Sequence, residues 1–150
     1  MPNDTDNIAI PALMRWARGT YARAIATQLA AAGFDDLPRN GAFVLGGMAN
    51  RGSAAADMVR GLGVSKQAAS QLIDTLVLRG YLRRETNPAD RRRMLIDLTE
   101  RGREAAAAVA AGIVTVDGRL ADRISPDELH GLRQGLLALG EIRAELVELS

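Results

Sequence analysis

The most concentrated binding chemistry in this chain lies in two short runs. Lys66, Gln67, Ser70 and Gln71 offer ammonium, amide and hydroxyl groups within two helical turns, and the first carboxylate after them is Asp74. Amides and cations at the start of a helix, with no acid among them, suit the donor and acceptor edges that bases expose in a DNA major groove. On any single helix such residues more often form a solvated polar face, so the pattern needs support from its neighbours. The second run is Arg91-Arg92-Arg93. Three adjacent guanidiniums repel one another unless they are solvated, paired with Asp90 or laid against phosphates, and a narrow minor groove accepts an inserted arginine. A basic surface hairpin with no ligand is the plain alternative.

Both runs sit inside elements that could present them. From Ser65, a good N-cap, the apolar positions Ala68, Ala69, Leu72, Ile73, Leu76 and Val77 recur at three and four residues, and Gly80 suits the end of a helix. Upstream, Met58, Val59 and Leu62 form a shorter apolar face, and Gly61 and Gly63 permit a turn. A helix, a glycine turn and a second helix make a helix-turn-helix. Downstream, Tyr81–Glu85 and Arg93–Leu98 have strand length, and Met94, Ile96 and Leu98 alternate onto one face. Thr86 to Arg92 is turn chemistry with a basic tip. The order is a helix-turn-helix followed by a wing.

The stretch from Asp57 to Glu104 resembles the winged helix-turn-helix of the MarR (multiple-antibiotic-resistance regulator) family of bacterial transcription factors. Val64-Ser65, Ala68-Ala69-Ser70, Leu76, Gly80-Tyr81-Leu82 and Arg84 fall where the family has similar residues. Asp90-Arg91-Arg92 matches its D-x-R wing signature, and Leu98-Thr99 with Gly102 matches its L-T-x-x-G. The resemblance implies a mainly α fold with a small β-hairpin wing, and dimerisation helices from both termini. It also implies a homodimer on double-stranded DNA, with the acid of the D-x-R pattern orienting an arginine into the minor groove. The DNA-contact set expected is Ser65, Lys66, Gln67, Ser70, Gln71, Arg84, Asp90, Arg91 and Arg92. Family members often release DNA on binding a small aromatic effector between dimer helices and winged domain. Trp16, Tyr21, Phe43 and Met48 are the lining candidates here, and they are equally good core residues.

A chain of 150 residues is expected to form one domain, with the reading head at about 40–98 and dimerisation helices at about 8–33 and 99–150. Pro11 opens a helix whose apolar stripe is Ile10, Leu13, Met14, Ala17, Tyr21, Ile25, Leu29 and Ala32. Ala42 to Met48 reads as a short helix weakened by Gly46-Gly47, with Ser53 capping the next. The five aromatics, Trp16, Tyr21, Phe34, Phe43 and Tyr81, read as core and packing residues. After the wing, Thr99 caps a long helix with a heptad-like seam at Ala106, Val109, Ile113, Val116 and Leu120. Ser125-Pro126-Asp127-Glu128 is a capping box. The following stripe of Leu129, Leu132, Leu136, Leu139, Ile142, Leu146 and Leu149, widened by Leu137 and Val147, exceeds what one intramolecular contact needs. A two-fold interface is the expectation.

Net charge is only +1, but residues 51–93 hold nine cations against four anions. The positive excess lies on the proposed head and the rest of the chain is net acidic, the footprint of a nucleic-acid reader. With no cysteine there is no disulfide framework, thiolate metal site or thiol redox switch. His130 is the single histidine, and the Gly61-Leu62-Gly63 run meets Lys66 where a dinucleotide fingerprint needs glycine. No enzyme, cofactor or metal is therefore expected. The first residues lack the basic and apolar regions of a secretory leader, so a cytoplasmic protein is expected. The function expected is a homodimeric transcriptional regulator that represses from a pseudo-palindromic operator and responds to a small-molecule effector. The rival is a winged-helix domain that coats DNA nonspecifically or mediates protein contacts without ligand sensing.

Overall fold

A computed structural model describes residues 7–51, 54–92 and 94–148. The elements, in chain order, are α1 (Ile10–Ala31), α2 (Gly41–Arg51), α3 (Ala55–Gly61), α4 (Lys66–Leu78), β1 (Leu82–Thr86), β2 (Met94–Leu98), α5 (Glu100–Ala121) and α6 (Pro126–Glu148). The proposed cap Ser53, the third wing arginine Arg93 and Leu149 lie outside the described residues, as does the side chain of Val147. Two compact units divide the chain, Met1–Val114 and Thr115–Ser150.

The first unit closes around one core. Leu29 of α1, Val44, Leu45 and Met48 of α2, Val59 of α3, Ile73 and Leu76 of α4, and Ala105, Ala106 and Val109 of α5 are buried with Phe34, Tyr81, Leu82 and Leu98. Burying a leucine fully is worth roughly 2–3 kcal/mol, so these side chains dominate the energetics of the head. Gly46-Gly47 does not weaken α2 in the way its composition suggests. A Cβ on Gly47 would run into the Met58 sulfur, and one on Gly46 would lie 3.3 Å from Val109 Cγ1. The lost helix propensity of about 1 kcal/mol per glycine is offset by close approach of α3 and α5 to α2. Gly112 serves α5 likewise, since an added Cβ would sit 2.7 Å from Ile25 Cα of α1.

Aromatic placement departs from expectation. Phe34 and Tyr81 are buried, but Trp16 is 59% exposed and Phe43 49%. The expected stripe of α1 is likewise core only at its C-terminal end: Leu29 is buried, whereas Ile10, Leu13 and Met14 are exposed. Helical periodicity identifies an apolar face without saying what covers it.

In the second unit the capping box forms as read. Glu128 Oε2 accepts the Ser125 backbone N–H at 2.8 Å, and Ser125 Oγ accepts the Glu128 N–H at 3.2 Å. The Ser125 N–H first, and then the Ser125 hydroxyl, which donates to Oε2 at 2.9 Å, hold the Glu128 carboxyl below its usual range. Leu129 is half-buried, and Leu132, Leu136, Leu137, Leu139, Ile142 and Leu146 are exposed.

Candidate nucleic-acid interface

The second helix of the helix-turn-helix is α4, and its two sides are sharply divided. Ile73 and Leu76 are buried, Leu72 and Val77 half-buried, and Lys66, Gln67, Ser70 and Gln71 all exposed. Ser65 caps the helix, its Oγ accepting the Ala68 N–H at 3.2 Å. Such a cap is worth about 1 kcal/mol and fixes where the exposed face begins. No acidic residue lies in the first turn. The chain enters from α3 through Gly63, whose φ of 66° is the left-handed conformation glycine supplies, and leaves through Gly80 at φ 75°. The spacing in sequence is thus realised as one continuous polar face with a positive helix end.

The wing is anchored at its root and open at its tip. β1 and β2 pair antiparallel with Leu82 opposite Leu98 and Thr86 opposite Met94. Leu82 and Leu98 are buried, Ile96 is half-buried and Met94 is exposed, so the expected apolar face fades outward along the hairpin. At the tip, Asn87 Oδ1 accepts the Ala89 N–H at 2.9 Å, and the Asp90 carboxylate accepts the Arg92 backbone N–H at 3.0 Å. Asp90 therefore acts on Arg92 through the main chain, in the manner of an Asx turn, and leaves the guanidinium to extend from a fixed base. Arg91 and Arg92 are exposed.

Arg83 and Arg84 of β1 are engaged within the chain. Arg83 bridges Glu85 at 2.8 Å and Asp97 at 3.1 Å. Arg84, a DNA-contact candidate, forms an ion pair with Asp74 of α4. Of the nine candidates, the structure brings Ser65, Lys66, Gln67, Ser70 and Gln71 together on α4 and Asp90, Arg91 and Arg92 together at the tip. Arg84 lies between the two groups. The four ligand candidates are not alike in placement: Met48 is buried in the core, Tyr21 is half-buried, and Trp16 and Phe43 are exposed. Among the described residues no group of histidines, cysteines and carboxylates could hold a metal ion. His130 is exposed on α6.

One cluster behind the wing was not foreseen. Tyr81 is buried, and its hydroxyl donates to the Asp36 carboxylate. Arg101 reaches the same carboxylate at 3.0 Å and the Tyr81 hydroxyl at 3.2 Å. Its guanidinium carbon lies 4.7 Å from the Tyr81 ring centroid and 5.5 Å from that of Phe34, within cation–π range. Arg79 donates to the Asp36 carbonyl. The Tyr81 hydrogen bond, joined by Arg101, holds the Asp36 carboxyl below its usual range. Burial first, then Asp36, pushes the Tyr81 hydroxyl up. Asp36 and Tyr81 lie 45 residues apart, so no local signal joins them.

The same junction explains the Leu98-Thr99…Gly102 spacing. Thr99 Oγ1 donates to the Gly80 carbonyl at 2.5 Å and accepts the Gly102 N–H at 3.0 Å, capping α5 while tying it to the end of α4. A Cβ on Gly102 would collide with the Tyr81 carbonyl oxygen. Wing, α4 and α5 converge on Tyr81.

Comparisons with known proteins agree with this geometry. The model of the MarR family matches residues 35–93. An uncharacterised protein of Mycobacterium tuberculosis is 32% identical over 89 residues, which are 59% of this chain and 62% of that relative. The chain thus matches under two thirds of the length of the curated relatives. The crystal structure of RV1404 from Mycobacterium tuberculosis is 26% identical with a TM-score of 0.67, covering 96% of this chain and 97% of that one. The Staphylococcus aureus MepR–DNA complex shares the fold at 18% identity and a TM-score of 0.69, covering 90% of this chain and 98% of that one. Residues 35–93, which hold the helix-turn-helix and most of the wing, are thus similar to the MarR family, and the fold is shared with these solved structures.

Proposed function

We propose that this protein regulates transcription as a homodimer that reads a pseudo-palindromic operator and represses from it. The observation that carries this reading is the capped α4, with Lys66, Gln67, Ser70 and Gln71 exposed along one side, next to a hairpin that lifts Arg91 and Arg92. The first group matches base edges, the second matches phosphates and a minor groove. Homodimerisation is supported by the exposed apolar residues of α1 and α6, which a monomer would leave in water. Release by a small aromatic effector completes the proposal and rests on the family. Of its four candidate residues, Trp16 and Phe43 are exposed in the protomer, and Met48 is committed to the core.

The test is selection of genomic fragments on the purified protein, followed by footprinting. The reading requires an enriched two-fold motif whose half-sites lie about 10–10.5 base pairs apart, or a multiple of that. Uniform protection without a motif would favour nonspecific coating.

A further inference from the structure

We propose that Asp74 and Arg84 form a positioning pair that sets the wing against the reading helix, so that Arg84 acts on DNA through Asp74 and not through a phosphate. This rests on the DNA-reading function above. Asp74 lies four residues beyond Ser70 and seven beyond Gln67, so it continues the same helical face one turn past the last candidate base reader. A bare carboxylate there would repel the phosphates that flank a groove. Arg84 alternates with Leu82 along β1 and stands opposite Ile96, which places it on the strand face that carries the buried Leu82 and Leu98. That face turns toward the core and α4. On the other face, Arg83 pairs with both Glu85 and Asp97. An inner-face arginine one step outward from Leu82 meets the flank of α4, and the ion pair with Asp74 results.

The pair is exposed, with side chains 42% and 56% accessible, so it adds little to folding. Its effect is geometric. Leu82 and Leu98 hold the root of the hairpin, Ile96 packs half-buried against the core at the rung of Arg84, and the Asp74–Arg84 bond ties the β1 side of that rung to α4. The angle between two DNA-contacting elements then depends on a bond outside the core, where neutralising Asp74 also removes a repulsive charge from the reading face.

A neutral double-mutant cycle separates this from direct phosphate contact. Asp74→Asn, Arg84→Gln and the double variant would be titrated on a duplex recovered by genomic selection with the wild-type protein, over a range of salt. Both single variants should bind about 3- to 10-fold more weakly, the double no worse than the weaker single, and the Arg84→Gln salt slope should match wild type. Tighter binding by Asp74→Asn, additive losses, or a slope lowered by about 2 per dimer would overturn the proposal. A DNA-free measurement keeps the two readings apart. The absence of native cysteine allows spin labels at Gln71→Cys and Ala89→Cys, diluted with unlabelled protein. The distance distribution from α4 to the tip should broaden in both single variants, and an unchanged distribution would overturn the proposal even if no operator were found.

Discussion

The root of the wing and the two outer helices, α1 and α6, handle their surfaces in opposite ways. At the root, Thr99 satisfies carbonyls and an N–H from three neighbours, Tyr81 is buried with its hydroxyl bonded, and Gly102 allows α5 to touch the backbone of Tyr81. Among the described residues no buried side-chain polar atom lacks a partner. Along α6, by contrast, Leu136 is 47% exposed and Leu137 61%, and at the start of α1 Ile10 is 61% exposed. The root is complete within one chain. The outer helices carry apolar surface of the sort that a second copy would remove from water, at about 25 cal/mol per Å². The contrast separates what holds the head together from the proposed homodimer, so each can be attacked without the other.

The largest effect is expected at the root. Gly102→Ala should cost about 3 kcal/mol in urea unfolding, because a backbone carbonyl cannot move aside as a side chain can. The loss should not vary with protein concentration, and a cost under about 0.5 kcal/mol would mean that the Tyr81–Gly102 approach is not tight. Next comes the opposite region. Leu136→Glu with Ile142→Glu should leave the head folded, convert the protein to monomer in sedimentation, and reduce operator affinity by about 100-fold as the second half-site is lost. A variant that stays dimeric at full affinity would remove α6 from the interface.

Smaller effects sharpen the division within the head itself. Gln67→Ala or Gln71→Ala should cost about 1–3 kcal/mol on the operator, relax preference at one symmetric base position, and leave nonspecific binding unchanged. Equal weakening on every sequence would mean that α4 is not the reader. At the tip, Arg92→Ala should keep thermal stability and lower the slope of log K against log salt by about 2 for the dimer. Asp90→Ala should also weaken binding although it removes a negative charge, because the Arg92 backbone loses its anchor. Tighter binding by that variant would show that the tip acts as diffuse charge.

The smallest effect is pH-dependent and returns to the root. Asp36 has a folded pKa below its ordinary 3.8, chiefly through the Tyr81 hydroxyl, with Arg101 adding to it. A lowered carboxylate pKa contributes stability that is present above the unfolded value and lost as pH falls through the folded one. Asp36→Asn should therefore be less stable than wild type at neutral pH, and the gap should close below pH 3.8 in parallel acid titrations. A gap that persists in acid would assign the loss to packing and not to charge.

Much of this protein could be read from its sequence alone. Ser65 and the Ser125/Glu128 box declared helix starts, since capping is a matter of three or four adjacent residues. The amphipathic period of α4 placed Lys66, Gln67, Ser70 and Gln71 on the exposed side, and turn chemistry marked the arginine tip. These are local interactions, encoded within a few positions. Partners across the fold were another matter. Only the tertiary structure decided that Arg84 meets Asp74, that Asp90 holds a backbone N–H, that Asp36 and Arg101 clasp Tyr81, and that Gly47 makes room for Met58. It also divided the apolar stripes, taking Leu29 and Val109 into the core and leaving Trp16, Phe43 and the leucines of α6 outside. Periodicity records that a helix has an apolar face. Which neighbour covers that face depends on long-range packing, to which no short stretch of sequence is sensitive.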